Sequence, residues 1–214
     1  MSRVIATILA HPDDAELWAG GTLIAHGERG DRTIVVTFAG AGGVRALEAA
    51  EGARLMGAEC VLLEPRFLKL SDDLVDRIEA AIALSRPDTV ITHWEGDSHP
   101  DHALVHRAVL TAATRTRIAH GVPSVLFSCD TYYSQGVAGL FQPTYYVDVT
   151  RVFERKLAAL GVHTAPPRER WLRMARDMAI VHGARCGCQY AEGFGEIPVL
   201  GQRLNWELLP ERIK

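Results

Sequence analysis

Ile5-Ala6-Thr7-Ile8-Leu9-Ala10-His11-Pro12-Asp13-Asp14 is the stretch that decides the predicted fold, because it joins an apolar run to a polar turn. Residues 5–9 are apolar, partly β-branched and bounded by Pro12, a pattern typical of a buried strand. The strand ends at a histidine and two aspartates, which bind metals or carry protons. We therefore expect this strand to deliver polar groups to a crevice.

A second stretch of the same kind is Ser98-His99-Pro100-Asp101-His102, which follows the apolar run Thr89-Val90-Ile91-Thr92. In a doubly wound sheet of strand order 3-2-1-4-5, the first and fourth strands are neighbours at the topological switch point. Ligands bind there, beyond the carboxyl ends of the strands. The two polar loops are therefore predicted to meet around one metal ion.

Short apolar runs alternate with helical patterns along the chain, which predicts an α/β fold. We expect a Rossmann-like, doubly wound, mostly parallel sheet with helices on both faces. The predicted strands are 3–9, 33–38, 60–63, 88–93, 124–129 and 145–149. The predicted helices are 15–28, 44–57, 73–85, one ending near 119, 150–160 and 166–182. We expect Val44, Leu47, Leu55 and Met56 to face the sheet, and the tail from Gly183 to be less regular.

Composition argues against several classes of function. The chain has 214 residues and a formal charge of −3, with lysine and arginine scattered and no basic arm, so no nucleic-acid partner is expected. No apolar run approaches the ~20 residues of a membrane span. No charged-then-apolar signal segment precedes the first strand. We expect a cytoplasmic protein whose cysteines, Cys60, Cys129, Cys186 and Cys188, are reduced thiols.

The length predicts a single domain over residues 1–214. Within it, residues 1–125 are expected to form the Rossmann-like core. Residues 126–214 are expected to complete the substrate pocket and to form the C-terminal part. A homo-oligomer is possible.

Three side chains from the two loops form a candidate metal site. His11 and Asp14 lie three residues apart at the start of a turn or helix, and His102 can approach from the neighbouring loop. Two imidazoles and one carboxylate suit zinc, with a fourth position left for water, although iron(II) is also compatible with this ligand set. Water bound to zinc loses its proton near pH ~7 instead of about 15.7.

The same loops carry three further groups for acid–base chemistry. Asp13 is adjacent to a ligand and is placed to act as the general base. His99, if protonated, would stabilise a tetrahedral oxyanion or protonate a leaving amine. Asp101 would hold His99 in the required tautomer and raise its pKa. Together these groups suit the hydrolysis of an amide.

Other candidate features favour structural interpretations. We expect His93, at a strand end, to pack or to make one hydrogen bond. The glycine-rich loop 39–43 follows the second strand and lacks Gly-x-Gly-x-x-Gly spacing, which argues against a dinucleotide site. Cys186-Gly187-Cys188 does not have the Cys-x-x-Cys spacing of a redox or metal pair. The histidines on helical patterns or their ends are expected to be structural or solvated: His26, His106, His120 and His182.

At these residues the chain resembles the PIG-L (LmbE-like) family of zinc-dependent N-deacetylases. The first family signature is similar to Ala10-His11-Pro12-Asp13-Asp14, here followed by Ala15 and Glu16. The second, His-Pro-Asp-His, is His99-Pro100-Asp101-His102. Between them, Gly43-Val44-Arg45-Ala46-Leu47-Glu48 is similar to the glycine loop and Arg-x-x-Glu helix start of the family. The resemblance covers about residues 3–163.

The resemblance implies a Rossmann-like fold and the hydrolysis of an acetamide on an amino sugar, with release of acetate. It places His11, Asp14 and His102 at the metal-ligand positions and Asp13 at the position of the general base. His99 takes the place of the residue that stabilises the oxyanion. Asp101 is the partner of His99.

The resemblance also implies a pocket for an N-acetylated sugar. Arg45 falls where the family contacts sugar hydroxyls or a phosphate, and Asp97 lies in the loop that shapes the same pocket. His163-Thr164-Ala165-Pro166 matches the family's His-x-Ser-Gln only at the histidine. Tyr190-Ala191-Glu192-Gly193-Phe194 also looks family-like and is expected near the pocket mouth.

Two other functions remain open at this point. The same metal centre would serve an amidase that cleaves a larger amide, such as a mycothiol-type conjugate. A non-catalytic sugar- or nucleotide-binding module of the same fold is a third interpretation, although it would require a degraded site.

Overall fold

The structure is a computed structural model and describes residues 2–39, 43–64, 68–164 and 168–201. Its strands are β1 (Val4–Leu9), β2 (Arg32–Phe38), β3 (Glu59–Leu63), β4 (Thr89–Thr92), β5 (Val125–Cys129), β6 (Gln135–Gly136), β7 (Gly139–Leu140), β8 (Tyr145–Asp148) and β9 (Ala191–Ile197). Its α-helices are α1 (Asp14–Glu28), α2 (Val44–Met56), α3 (Asp72–Ser85), α4 (Pro100–His120), α5 (Phe153–Leu160) and α6 (Arg168–Cys186). Two 3₁₀ turns span Tyr132–Ser134 and Thr150–Val152.

Seven of the strands form one sheet in the order β3-β2-β1-β4-β5-β9-β8. The first five strands in this order, β3, β2, β1, β4 and β5, pair in parallel. Strand β9 is antiparallel to both β5 and β8. The predicted mostly parallel α/β sheet is confirmed. Ile5 of β1 is in register with Thr89 of β4, as Thr7 is with Ile91. The loops that follow these two strands therefore leave the same edge of the sheet side by side.

Helices cover both faces of the sheet, which explains why the central strands β1 and β4 are buried along almost their whole length. Ile5 and Leu9 of β1 pack with α1, α5 and α6, whereas Ala6 and Ile8 point the other way and pack with α3 and α4. This alternation follows from the two-residue period of a strand. None of the helices in the described ranges is long and apolar enough to cross a membrane.

The expectation of an irregular tail from Gly183 is wrong. Helix α6 continues to Cys186, and β9 is inserted between β5 and β8. The strand is hard to recognise in the sequence because glycines interrupt its alternating pattern. Glycine occurs at these positions because the neighbouring elements leave no space for a side chain. A Cβ on Gly193 would lie 2.9 Å from the Pro143 ring, and one on Gly195 would lie 3.0 Å from Ser128 Oγ.

The predicted core face of α2 is only partly correct. Val44 and Leu47 are 67% and 72% exposed, whereas Met56 is buried and Leu55 packs partly against the core. The residues that face the other helices are mostly small, including Ala49 and Ala53. Small side chains allow α2 to lie close to α1 and α5, so the larger apolar residues at its start stay outside.

A buried ion pair joins β9 to α5, and its carboxylate also binds α1. The Lys156 Nζ atom lies 2.6 Å from Glu192 Oε1, and both side chains are almost fully buried. The carboxylate of Glu192 also accepts the backbone N–H groups of Gly21 and Thr22.

Residues 190–194 were expected near the pocket mouth. Glu192 and Phe194 are instead each 3% exposed within the sheet, so that expectation is wrong.

Candidate metal centre

The two polar loops meet at the edge of the sheet, as the strand order requires. His11 Nδ1 lies 3.2 Å from Asp14 Oδ2 and 3.2 Å from His102 Nε2. The distance from His102 Nε2 to Asp14 Oδ2 is 3.5 Å. Three potential ligand atoms from loops 91 residues apart in sequence thus form a small triangle.

This triangle has the size that a zinc site requires. Ligand atoms held at about 2.0–2.1 Å from a tetrahedral zinc are roughly 3.3 Å apart. Among the described residues, two overlapping groups of side chains have the spacing to hold a metal ion, one of His11, His99 and His102 and the other of Asp14, His93 and His102. The hydrogen bonds of His93 and His99 decide which of the five residues have a free ligand atom.

His93 and His99 each use a ring nitrogen to accept a backbone N–H group. Ala10 N donates to His93 Nε2 over 2.9 Å, and Asp101 N donates to His99 Nδ1 over 3.2 Å. A neutral imidazole carries its proton on the other nitrogen, so His99 Nε2 is a donor and not a metal ligand. His93 is buried, and burial lowers its pKa to about 4. These hydrogen bonds leave His11, Asp14 and His102 as the candidate ligand set, which stays a prediction.

Asp97 lies behind His102 and not in the substrate pocket. Its Oδ2 atom is 2.8 Å from His102 Nδ1, and neither side chain has any exposed surface. This corrects the prediction that Asp97 shapes the substrate pocket, because a fully buried carboxylate cannot reach a substrate. The His102 Nδ1–H group donates to it, which leaves Nε2 facing the other ligands. Burial lowers the pKa of His102, but the carboxylates of Asp14 and Asp97 together raise it to about 9.

Asp14 is held in its ionised form by several donors and rings. It is buried, and its Oδ2 atom accepts the backbone N–H of His11 over 2.7 Å. Trp18 Nε1 donates to the other oxygen over 3.3 Å. Burial alone would raise the pKa of Asp14, but the neighbouring rings of His102, His11 and His93 lower it well below its usual range. The carboxylate is therefore ready to bind a cation.

Asp101 pairs with a different histidine from the one predicted. Its Oδ2 atom lies 3.2 Å from His11 Nε2, so it orients His11 and leaves the Nδ1 atom of that ring for the metal. Only the backbone N–H of Asp101 contacts His99. Burial and the rings of His102 and His11 lower the pKa of His99, which corrects the predicted rise. Neutral His99 still offers an Nε2–H donor.

Asp13 and Arg45 form an ion pair beside the cluster. Arg45 Nη2 lies 3.1 Å from Asp13 Oδ1, and the two side chains are 29% and 14% exposed. Asp13 precedes α1, whereas Arg45 is in the first turn of α2. The partial exposure leaves both groups accessible to a small molecule. The guanidinium also orients the carboxylate.

Three aromatic side chains that the sequence analysis did not assign to the site border the cluster. The Tyr132 ring lies nearly parallel to the His102 ring, with centroids 5.7 Å apart. Trp18 and Trp171 contact the same tyrosine, at centroid distances of 5.4 and 5.5 Å. Burial and the charges of Asp14 and other nearby aspartates raise the pKa of Tyr132. No motif marks Tyr132, so only its position after β5 would have indicated a role.

His163 lies in a buried polar cluster beside the site. Its Nε2 atom is 3.6 Å from Glu16 Oε1 and its Nδ1 atom is 3.9 Å from Glu48 Oε2. Thr164 donates its backbone N–H and its hydroxyl to Glu48 Oε1. Residues 165–167, where the family-like motif continues, lie outside the described part of the chain. The cluster joins α1 and α2 to the segment that leads to α6.

Comparison with known proteins identifies the family. The family model described as PIG-L, GlcNAc-PI de-N-acetylase, matches residues 6–113, half of the chain and both polar loops. The chain belongs to the PIG-L family. It is therefore an enzyme, an N-deacetylase, and its His–Asp cluster is a possible metal site. The predicted family and reaction type are confirmed.

Individual relatives are consistent with the PIG-L assignment. A probable N-acetyl-α-D-glucosaminyl L-malate deacetylase 2 of Bacillus cereus is 29% identical, over 76% of this chain and 83% of the relative. The N,N'-diacetylchitobiose deacetylase of Pyrococcus horikoshii has a similar fold, with a TM-score of 0.76, 24% identity and coverage of 93% of this chain and 85% of the other.

The PIG-L fold also occurs in an enzyme of another reaction class. GalB, the 4-carboxy-2-hydroxymuconate hydratase of Pseudomonas putida KT2440, has a TM-score of 0.79 at 19% identity, over 97% of this chain and all of the other. At this level of identity the likeness shows the fold alone. Structural likeness alone therefore does not identify the substrate.

Proposed function

We propose that this chain removes the acetyl group from an N-acetylated amino sugar, or from an N-acetylglucosaminyl conjugate, and releases acetate with the help of zinc. The observation that carries the proposal is the triangle of His11 Nδ1, Asp14 Oδ2 and His102 Nε2, with sides of 3.2, 3.2 and 3.5 Å. Two nitrogens and one carboxylate oxygen at this spacing suit a catalytic zinc that keeps one position open.

Zinc bound to these three residues would acidify a bound water and polarise the amide carbonyl. Asp13 is the general base: its carboxylate accepts a proton from the attacking water and returns it to the leaving nitrogen. The water oxygen forms the new C–O bond while the C–N bond of the acetamide breaks, so acetate and a free amine result. Arg45 holds one oxygen of Asp13 and leaves the other for the proton.

His99 stabilises the negative charge that develops on the carbonyl oxygen when water adds to the carbonyl carbon. Its Nδ1 atom accepts the Asp101 N–H, so its Nε2–H group is a donor without any need for protonation of the ring. The ring centroids of His99 and His102 are 4.6 Å apart, which keeps this donor beside the ligands. A preformed donor of this kind typically contributes about 10²–10³-fold to the rate.

The substrate class is supported by the names of two relatives and by the exposed side of the candidate site, where Arg45 lies. The Bacillus cereus relative is named for deacetylation of a glucosaminyl malate, and the Pyrococcus enzyme for deacetylation of diacetylchitobiose. Arg45 is 29% exposed at the mouth, where it can contact sugar hydroxyls or an anionic group of a conjugate. An N-acetylglucosaminide is the common element of these observations.

The test is acetate release from a panel of N-acetylglucosaminides by the chain reconstituted with zinc or, without oxygen, with iron(II). We expect turnover that chelation abolishes and zinc restores. Asp13→Asn should keep stoichiometric metal but lose turnover by about 10²–10⁴-fold, the usual contribution of a general base. Full activity of Asp13→Asn would exclude Asp13 as the base.

The same panel separates the competing functions. Release of a larger acid from conjugates, without release of acetate, would identify an amidase. Retained zinc without turnover of any acetamide would favour a binding module and would contradict the proposal. Asp101→Asn should lower activity less than Asp13→Asn, because Asp101 acts through His11 and not on the water.

A further inference from the structure

Tyr132 lies beside the predicted metal ligand His102, and its hydroxyl has no partner among the described residues. Its ring lies against His102 and Trp18, whose indole nitrogen donates to Asp14. The side chain is half-buried, and its hydroxyl makes no hydrogen bond within the described part of the chain. Packing alone would be satisfied by a phenylalanine. The hydroxyl is therefore free to form a hydrogen bond with a bound molecule.

The backbone that follows Tyr132 adopts a strained conformation. The next two residues, Tyr133 and Ser134, have φ angles of 51° and 57°, in the left-handed region that residues with side chains rarely adopt. Two such residues in succession persist only where the surroundings hold them. Strain of this kind concentrates at functional sites.

A buried carboxylate holds this turn in place. Asp130 accepts the backbone N–H of Thr131 over 2.7 Å and the hydroxyl of Ser134 over 2.8 Å. Its Oδ2 atom also lies 2.6 Å from His182 Nε2 of α6, and both side chains are 4% exposed. The turn that presents Tyr132 is thus fixed from both ends and tied to a helix 52 residues further along the chain.

We propose that Tyr132 contacts the substrate at the metal centre through a hydrogen bond from its phenol, and that Asp130 and His182 are positioning residues that hold it there. The inference rests on the proposed function and adds a group to the same site. A phenol is protonated at neutral pH and is a good donor to a carbonyl or hydroxyl oxygen of an N-acetylated sugar.

The central test compares Tyr132→Phe with Tyr133→Phe. Tyr132→Phe removes the hydroxyl and keeps the ring, so kcat/KM for acetate release should fall by about tenfold or more, which corresponds to one lost hydrogen bond. Tyr133 is adjacent in sequence and 46% exposed, and its variant should match the wild type. Zinc content should be equal in all three proteins. A Tyr132→Phe variant with wild-type kinetics would refute the proposal.

A double-mutant cycle tests the positioning residues. Asp130→Asn should lower kcat/KM by about fivefold or more in the wild type but by less than about twofold in Tyr132→Phe, because the contact it supports is already absent. His182→Gln provides a second variant if Asp130→Asn folds poorly. Additive losses in both cycles would show that the pair supports the fold and not Tyr132.

Binding without turnover separates this inference from the proposed function. In the zinc-loaded Asp13→Asn background, the dissociation constant for N-acetylglucosamine should rise by about tenfold when Tyr132→Phe is added. If the wild type releases no acetate from any sugar, the proposed function fails, and this binding measurement still decides the role of Tyr132. Equal binding with and without the hydroxyl would refute it.

Discussion

His102 Nδ1 lies 2.8 Å from Asp97 Oδ2, and both side chains are completely buried. This contact fixes the ring of His102 so that its Nε2 atom faces His11 and Asp14. Asp97 Oδ1 also accepts the backbone N–H of His99, so one carboxylate orients a ligand and shapes the start of α4. The candidate metal site therefore depends on Asp97, a buried residue that is not itself one of the predicted ligands.

Asp97→Asn should weaken zinc binding by about 10–100-fold, the usual effect of removing a carboxylate behind a histidine ligand. The amide still fills the space but supports the ligand less strongly than a charged acceptor. Competition titration with a chromophoric chelator measures the affinity. Asp73→Asn, on the exposed surface of α3, is the control and should bind zinc like the wild type. Equal affinity in Asp97→Asn would exclude this role.

Zinc affinity should rise with pH by about tenfold per pH unit or more from neutrality to about pH 9. The metal-free chain carries a proton on His102, whose pKa the carboxylates of Asp14 and Asp97 raise to about 9. Zinc must displace that proton, so binding strengthens as pH increases and levels off above this value. Asp97→Asn removes part of the stabilising charge, and its curve should level off at a lower pH. Affinity that is independent of pH would contradict the protonation of His102.

Gly52→Ala should lower the free energy of unfolding by about 1–3 kcal/mol, the usual cost of overpacking a core. An added Cβ on Gly52 would overlap the carboxylate of Glu16, which is fully buried and would have to shift. Gly27→Ala is the matched control, because the nearest atom to its Cβ, Thr33 Oγ1, is 3.9 Å away. The control should be neutral or stabilised by about 0.5–1 kcal/mol. Urea denaturation measures both, and similar stabilities would contradict the close packing.

Lys156→Met should destabilise the protein by about 3 kcal/mol, because breaking a buried ion pair leaves Glu192 as an uncompensated charge. The two N–H donors of α1 keep the cost near the lower end of the usual range. Arg54→Met, which breaks an exposed pair with Glu51, is the comparison and should cause little change. Thermal and urea unfolding test the difference. An equal loss in the two variants would show that burial is not decisive.

Much of the site could be predicted from the sequence because the ligands directly follow buried strands. The apolar runs before His11 and before the His99-Pro100-Asp101-His102 loop identify two strands, and the α/β alternation predicts that they are neighbours. Local hydrogen bonds are harder to predict. Asp101 lies two residues from His99 and yet bonds to His11, because side-chain direction depends on how the two loops pack together.

The sequence by itself determined the doubly wound class and the three candidate ligand positions, since both follow from local patterns and from residue chemistry. Only the tertiary structure decided that Asp97 supports His102, that β9 enters the sheet and that the Tyr132 ring lies against the His102 ring. Each of these depends on contacts between distant segments, such as Asp130 with His182. No local periodicity encodes such contacts, because they exist only once the sheet and its helices have packed.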